Sequence, residues 1–128
     1  MSFAYNYDIY DASDPNGIKY IRGVLSIDGE ELLFEYKLYD VMGTVISTLN
    51  KYSLDVQYLK KVMFKKGMFG SKILIETNQM VFLDPLPGSD QGKITLKINR
   101  EDRAQAQDFS IKLNIALSER RLKEIGDD

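Results

Sequence analysis

Apolar and polar residues alternate along much of the first hundred positions of this chain, a pattern typical of half-buried β-strands. From Glu31 to Tyr39 the even-numbered residues are predicted to face the core: Leu32, Phe34, Tyr36 and Leu38. The stretch 18–27 alternates in a similar way, and Asp28-Gly29 lies between the two segments. An Asp-Gly pair flanked by alternating segments is a strong hairpin signal. The sequence therefore predicts an antiparallel pair of strands from residue 18 to residue 39.

Five further strands are predicted after this hairpin. Their bounds follow from short apolar or β-branched runs separated by glycine, proline or asparagine: Val41–Leu49, Lys61–Lys66, Lys72–Thr77, Met80–Leu83 and Lys93–Ile98. The stretch Tyr52–Leu59 is irregular, with a short helical turn or an ordered crossing as the alternatives. Asp84–Gly92 contains two prolines and two glycines and is predicted to be a loop.

The hydrophobic period changes to that of a helix near residue 100. Asn99 is a good N-cap residue, and Glu101 lies in the first turn, where a negative charge is favourable. We predict one C-terminal helix at about 101–124, with Gly126 as its stop. Residues 1–17 form an N-terminal arm, either a short strand or a poorly ordered segment, and residues 11–17 are expected to turn. Residues 18–125 then constitute a single domain.

The amino-acid composition excludes several kinds of chemical site. The chain has 128 residues, no cysteine and no histidine. Disulfides and thiolate metal sites are excluded, and the usual general base near neutral pH is missing. No nucleophile lies beside a plausible base, so we expect no enzymatic activity, no cofactor and no metal site. The N-terminus lacks the features of a signal peptide and no apolar run could span a bilayer, so we expect a cytoplasmic protein, free or attached to a membrane surface.

Charge is distributed unevenly along the chain. Residues 1–50 contain 3 basic and 8 acidic side chains, whereas residues 51–100 contain 9 basic and 4 acidic ones. Basic segments of this kind can attract phosphates or acidic partners, although lysines also serve to discourage pairing at sheet edges. With a pI near 5.2 for the whole chain, nucleic acid is an unfavoured partner.

The most suggestive local feature is the glycine-flanked tip at 67–70. It carries an apolar pair between lysines, and we select five residues there as a contact site for a protein partner or a membrane: Lys65, Lys66, Met68, Phe69 and Lys72. Apolar tip residues can enter an interface while lysines meet anionic groups. The alternative is that Phe69 folds back onto the domain and the lysines are only solvated.

The predicted helix has two apolar faces. One comprises Ala106, Phe109, Leu113, Ala116 and Leu117 and is expected to pack on the strands. Nearly opposite lie the residues of a candidate oligomer face: Ile111, Ile115, Leu122 and Ile125. A helix on a sheet needs only one apolar stripe, so the second needs a cover. The arm residues Tyr5, Tyr7 and Ile9 could supply it, or a second copy or another protein could.

Two segments resemble bacterial pleckstrin-homology-like (PH-like, GRAM-like) domains. VQYLKKVMFKKGMFGSKILI at 56–75 is similar to a strand, a Lys-Gly hairpin and a second strand of that pattern, and GKITLKINREDRAQAQDFSIKLNIAL at 92–117 is similar to its last strand and closing helix. The resemblance implies a mainly β fold: a PH-like barrel of about seven antiparallel strands in two near-orthogonal sheets, capped by one C-terminal α-helix. The chain lacks the helix tryptophan of eukaryotic members, and Phe109 is expected to fill that position.

The resemblance also implies a non-catalytic module. The loop that carries lysines and arginines in eukaryotic phosphoinositide binders is acidic here, with Asp28, Glu30 and Glu31, so that site is not carried over. We expect a binding or scaffolding module acting through protein–protein interaction or self-association. The alternative is peripheral binding to anionic lipid through the lysine-rich hairpin 65–72.

Overall fold

A computed structural model describes residues 1–10 and 17–126 of the chain. Within these residues, seven strands precede one long helix. The strands are β1 Ser2–Tyr10, β2 Ile18–Asp28, β3 Glu31–Tyr39, β4 Asn50–Asp55, β5 Leu59–Lys65, β6 Ser71–Thr77 and β7 Lys93–Ile98. The helix α1 spans Arg103–Gly126, and short 3₁₀ turns lie at Val56–Tyr58, Met80–Leu83 and Arg100–Asp102.

All seven strands belong to one antiparallel sheet in the order β4-β3-β2-β1-β7-β6-β5. Strands that follow one another in the chain are neighbours in this order, except that β4 and β5 form its two edges. The sheet is continuous only through the β1–β7 junction, where a single residue pair, Asn6 opposite Lys97, is in register. By contrast, β1 and β2 pair from Ser2–Ser26 to Tyr10–Ile18.

One hydrophobic core lies between the inner face of the sheet and α1. Every strand contributes to it, and α1 contributes Ala106, Phe109, Leu113 and Leu117. Phe109 makes an edge-to-face contact with Phe3 of β1, with 5.0 Å between the ring centroids. The alternation in β3 is confirmed, since Leu32, Phe34 and Tyr36 are buried and Leu38 packs against the core. Ala116, predicted on the packed face, is instead exposed.

Two predicted strands are wrong. Residues 41–49 form a turn and an extended loop, because Asp40 accepts from the backbone N–H groups of Met42 and Thr44 and so stabilises a turn. The strand comes later, at Asn50–Asp55, within the stretch expected to be irregular. Met80–Leu83 forms a 3₁₀ turn, and its Leu83 is fully buried. Of the four apolar residues, Leu83 is buried and Phe82 partly buried, whereas Met80 and Val81 are exposed.

The N-terminal segment lies in the middle of the sheet. Phe3, Tyr5 and Tyr7 are buried, and the Tyr7 hydroxyl donates to the Pro87 carbonyl at 2.7 Å. Tyr5 and Tyr7 therefore cannot cover the outer face of the helix, and that prediction is wrong. The predicted turn at 11–17 lies, but for Gly17, outside the described residues.

The prediction that the Asn99 side chain caps the helix is also wrong. The Asn99 side chain makes no capping hydrogen bond. Its Oδ1 accepts from Nδ2 of Asn6 at 3.0 Å, across the β1–β7 junction. A 3₁₀ turn at Arg100–Asp102 leads into α1 instead, with the Asp102 N–H donating to the Asn99 carbonyl at 3.0 Å.

Candidate interaction surface at the β5–β6 hairpin

The connection between β5 and β6 projects an apolar pair into solvent. The two strands stay in register up to Lys65 opposite Lys72, which leaves residues 66–70 as the loop. Phe69 is 96% exposed and Met68 is 80% exposed. The alternative in which Phe69 folds back onto the domain is therefore wrong.

This exposure does not come from a loosely held loop. The Arg103 guanidinium, at the start of α1, donates through Nη2 to the Gly67 carbonyl at 3.0 Å and through Nε to Ser71 Oγ at 3.1 Å. Ser71 is buried, so the second bond anchors the loop to the sheet. Gly67 and Gly70 also approach each other so closely that a Cβ on Gly67 would overlap the Gly70 carbonyl oxygen. Arg103 thus anchors both ends of the tip.

A row of three lysines crosses the outer face of the sheet next to this tip. The register places Lys65 opposite Lys72 on β6, and Lys72 opposite Lys97 on β7. Directly opposed residues on neighbouring strands have Cβ atoms about 5 Å apart, and like charges in that relation are destabilising. We call Lys65, Lys72 and Lys97 the lysine row. Lys66, at the base of the loop, adds a fourth exposed ammonium group.

Few carboxylates balance this charge. Lys97 Nζ lies 3.4 Å from Asp8 Oδ2, in a pair whose two side chains are about half exposed. Within the described part of the chain, Lys65, Lys66 and Lys72 form no ion pair. Three of the four ammonium groups are consequently available to an external anion.

A shallow cleft of about 310 Å³ separates the tip from the β1–β7 junction. Its lining combines the tip, the side chains of Lys72 and Lys97, and the paired amides of Asn6 and Asn99. Ammonium and amide donors suit phosphate or carboxylate oxygens. The cleft is open on one side, which suits the end of a larger molecule or a surface better than an enclosed small ligand.

The five residues selected from the sequence at this hairpin are adjacent in the structure. Sequence reasoning missed Lys97 and the supporting Arg103. Lys97 joins the row only through the β6–β7 register, which no local pattern reports. The alternation of KITLKI did place it on the outer face of its strand, and that signal could have marked it as a candidate.

The outer face of α1 is a second exposed apolar surface. Ile111 and Ile115 are about half exposed, while Leu122 and Ile125 are 69% and 71% exposed. An open groove of about 420 Å³ is lined by Ile111, Ile115 and Leu122, together with Asn114, Ser118 and Glu119. No strand among the described residues covers this groove.

A third exposed apolar surface, absent from the sequence predictions, lies in the β3–β4 loop. Its exposed side chains are Val41, Met42, Val45, Ile46 and Leu49. The strand predicted here would have buried half of them. The loop is instead held by Asp40 and by Ser47, whose Oγ accepts from the Leu38 N–H at 2.9 Å.

Burial raises the pKa of four tyrosines: Tyr5, Tyr7, Tyr36 and Tyr52. The Tyr52 hydroxyl donates to the Phe82 carbonyl, and the Tyr7 hydroxyl donates to the Pro87 carbonyl. These hydroxyls remain neutral at physiological pH and stabilise the core. Among residues 1–10 and 17–126, no three acidic side chains gather in a way that could hold a metal ion.

Nowhere in the described part of the chain does a helix combine the length and hydropathy that a bilayer crossing requires. Comparison of the chain with family models, curated proteins and solved structures found no match. The function of the chain is therefore inferred from the hairpin, the lysine row and the helix face themselves.

Proposed function

We propose that this chain is a non-catalytic binding module that attaches reversibly to anionic lipid surfaces through the β5–β6 hairpin. The single observation that carries the proposal is the position of Phe69, which is 96% exposed on an anchored loop. This loop lies beside the lysine row, whose members are opposite one another on neighbouring strands. An aromatic side chain that an anchored loop leaves in water would gain free energy if a partner buried it. Lysines opposed across strands are costly unless an anion neutralises them.

A membrane surface satisfies both features together. The Phe69 ring and the Met68 side chain can enter the boundary between headgroups and acyl chains, and burial of a large apolar side chain contributes about 1.5–3 kcal/mol. Each lysine close to an anionic surface adds about 1 kcal/mol. Four lysines and one or two apolar side chains give an attachment that is specific for anionic lipid and reversible. Nucleic acid fits less well, because stacking platforms need several aromatic side chains in a basic groove.

The fold that we propose for the module is a PH-like barrel. The one-pair junction between β1 and β7 divides the sheet into β4-β3-β2-β1 and β7-β6-β5, and a single core lies between the inner faces and α1. These features support two sheets packed across one core and closed by a helix. This fold does not by itself define the function, since one fold serves many functions.

Flotation with lipid vesicles tests the proposal. The chain should float with vesicles that contain phosphatidylserine, should stay at the bottom with purely phosphatidylcholine vesicles, and should bind less at higher salt. The variant Phe69→Ala/Lys66→Glu should lose binding. A matched control, Met42→Ala/Lys37→Glu, removes one exposed apolar side chain and reverses one exposed lysine elsewhere, and it should bind like the wild type.

Failure to float with anionic vesicles at low salt would contradict the proposal. An equal loss of vesicle binding in the control variant would show that binding depends on net charge alone. Retained binding in Phe69→Ala/Lys66→Glu would place the lipid contact elsewhere on the protein.

A further inference from the structure

Five exposed residues on the outer face of α1 follow a regular spacing. Ile111, Ile115, Ser118, Leu122 and Ile125 are separated by four, three, four and three positions. This is the spacing of a coiled-coil seam, in which one narrow apolar stripe faces another helix. From this geometry we infer that α1 pairs with α1 of a second copy of the chain, in antiparallel orientation.

The helix continues well past its last buried side chain. Leu117 is the last buried residue, yet the helix runs on to Gly126. Most helical stability in proteins comes from packing of an apolar face, and in this segment the apolar face is the seam. Two full turns of helix without a buried side chain are explained if the seam is covered by another helix.

Polar contacts fix the direction in which the seam points. The Arg120 guanidinium lies 3.7 Å from Glu30 and 3.9 Å from Asp55, and Arg121 donates to the Lys60 carbonyl. These contacts tie other sides of the helix to the β2–β3 turn and to the edge strands β4 and β5. Leu122 and Ile125 are thereby held away from the sheet, in position for a partner.

Charge selects the antiparallel orientation. Lys112 and Glu119 flank the seam on the same side, seven residues apart. In an antiparallel pair centred between Ile115 and Ser118, Lys112 lies near the partner's Glu119, and the two-fold axis repeats this contact. In a parallel pair the flanking positions would set Lys112 near the partner's Gln107 and Glu119 near the partner's Asn114, with no ion pair. In the free chain Lys112 pairs with Asp108 at 3.0 Å, on the exposed helix surface.

The same pairing matches large and small residues at its centre. Ile115 lies against the partner's Ser118, and Ile111 lies against the partner's Leu122. The seam from Ile111 to Ile125 contains fifteen residues, about 21 Å of helix. An interface of this length is small, so we expect a monomer–dimer equilibrium that depends on concentration. Arg103, which anchors the hairpin tip, precedes Ile111 by eight residues, about 12 Å along the helix, and lies outside the seam.

Light scattering coupled to gel filtration tests the inference. The wild type should approach twice the monomer mass as its concentration rises. Ile115→Glu places a charge at the centre of the seam and should remain monomeric. The matched control Lys123→Glu changes an exposed residue of the same helix outside the seam and should dimerise like the wild type.

A mixing experiment tests the orientation. Lys112→Glu alone should weaken the dimer, because two glutamates then face two glutamates, and Glu119→Lys alone should weaken it through opposed lysines. An equimolar mixture of the two variants should restore dimers at least as stable as those of the wild type. Because only different chains are combined, a change within one helix cannot cause this restoration.

The readouts distinguish the outcomes. A one-chain mass at every concentration would overturn the inference, and so would a dimer that Ile115→Glu leaves intact. A dimer that persists in the wild type but is not restored by mixing would overturn the antiparallel orientation. Circular dichroism and thermal unfolding of each variant would show that its fold is retained. Since none of these variants touches the hairpin, the result is independent of the flotation experiment.

Discussion

Arg103 donates to the carbonyl of Gly67 at 3.0 Å, which joins the first turn of α1 to the base of the exposed hairpin tip. The same guanidinium also reaches Ser71 Oγ on the other side of the loop. One side chain of the helix therefore sets the shape of the surface that we propose to contact lipid.

Replacing Arg103 should loosen the tip. Arg103→Ala removes two hydrogen bonds, each contributing about 1 kcal/mol, so we expect a loss of about 1–2 kcal/mol in the free energy of unfolding. Amide hydrogen exchange at residues 66–70 should accelerate, and vesicle binding should weaken. Arg103→Lys should recover only part of the effect, because an ammonium group lacks the planar fork that serves two acceptors. Unchanged exchange in Arg103→Ala would show that the tip is held by other contacts.

Gly67 is required by the close approach of Gly70. In Gly67→Ala the new methyl group would overlap the Gly70 carbonyl oxygen, so the loop must shift. We expect a loss of about 1–3 kcal/mol in stability, measured by urea denaturation. Gly126→Ala is the control, since a Cβ there meets no atom within 4 Å. Equal stability of the two variants would contradict the crowded geometry at the tip.

The lysine row should cost stability in the isolated protein. Lys72→Gln relieves repulsion with both Lys65 and Lys97, so we expect stability at low salt to rise by about 0.2–1 kcal/mol while binding to anionic vesicles falls. Both effects should shrink as salt increases. Lys93→Gln is the control, because Lys93 lies opposite Glu76 and its loss should not stabilise the protein. A Lys72→Gln variant that gains no stability would argue against repulsion between Lys72 and the lysines opposite it.

The contact between Phe3 and Phe109 joins the first strand to the helix. Phe109→Ala and Phe3→Ala should each cost about 3–5 kcal/mol in unfolding free energy. A double-mutant cycle should give a coupling of about 0.5–1.5 kcal/mol for the edge-to-face pair. Ile111→Ala, on the exposed side of the same helix, should be near neutral at concentrations where the chain is monomeric. Additive effects of the two phenylalanine substitutions would contradict the contact.

Buried tyrosines should make the fold sensitive to alkali. The pKa of Tyr7 is raised by burial, so the folded state holds its proton more tightly than the unfolded state does. Stability from this group is therefore complete below the unfolded pKa of about 10 and is lost as the pH rises above it. Absorbance at alkaline pH should show ionisation of buried tyrosines together with unfolding. Tyr7→Phe should move that transition to higher pH, whereas Tyr10→Phe, at an exposed site, should not.

Several elements could be predicted from local pattern because local physics decides them. The strand Lys93–Ile98 lies where the alternation of KITLKI predicts it. The predicted hairpin forms with Gly29 and Glu30 as its turn residues, and Gly29 adopts a positive φ of 62° there. The helix begins and ends within two residues of the predicted 101–124. At 41–49 and 80–83 the apolar residues predict strands, but local hydrogen bonds form turns and a loop there instead.

The sequence by itself determined which residues can form strands, the helix with two apolar faces, and the hairpin with an apolar tip between lysines. Only the tertiary structure decided where those elements meet. Placement of β1 in the centre of the sheet buried Tyr5 and Tyr7 and left the helix seam uncovered. Register decided that Lys65, Lys72 and Lys97 form one row. Alternation within a strand fixes the face of each residue, but its neighbour across the sheet depends on pairing between segments far apart in the chain.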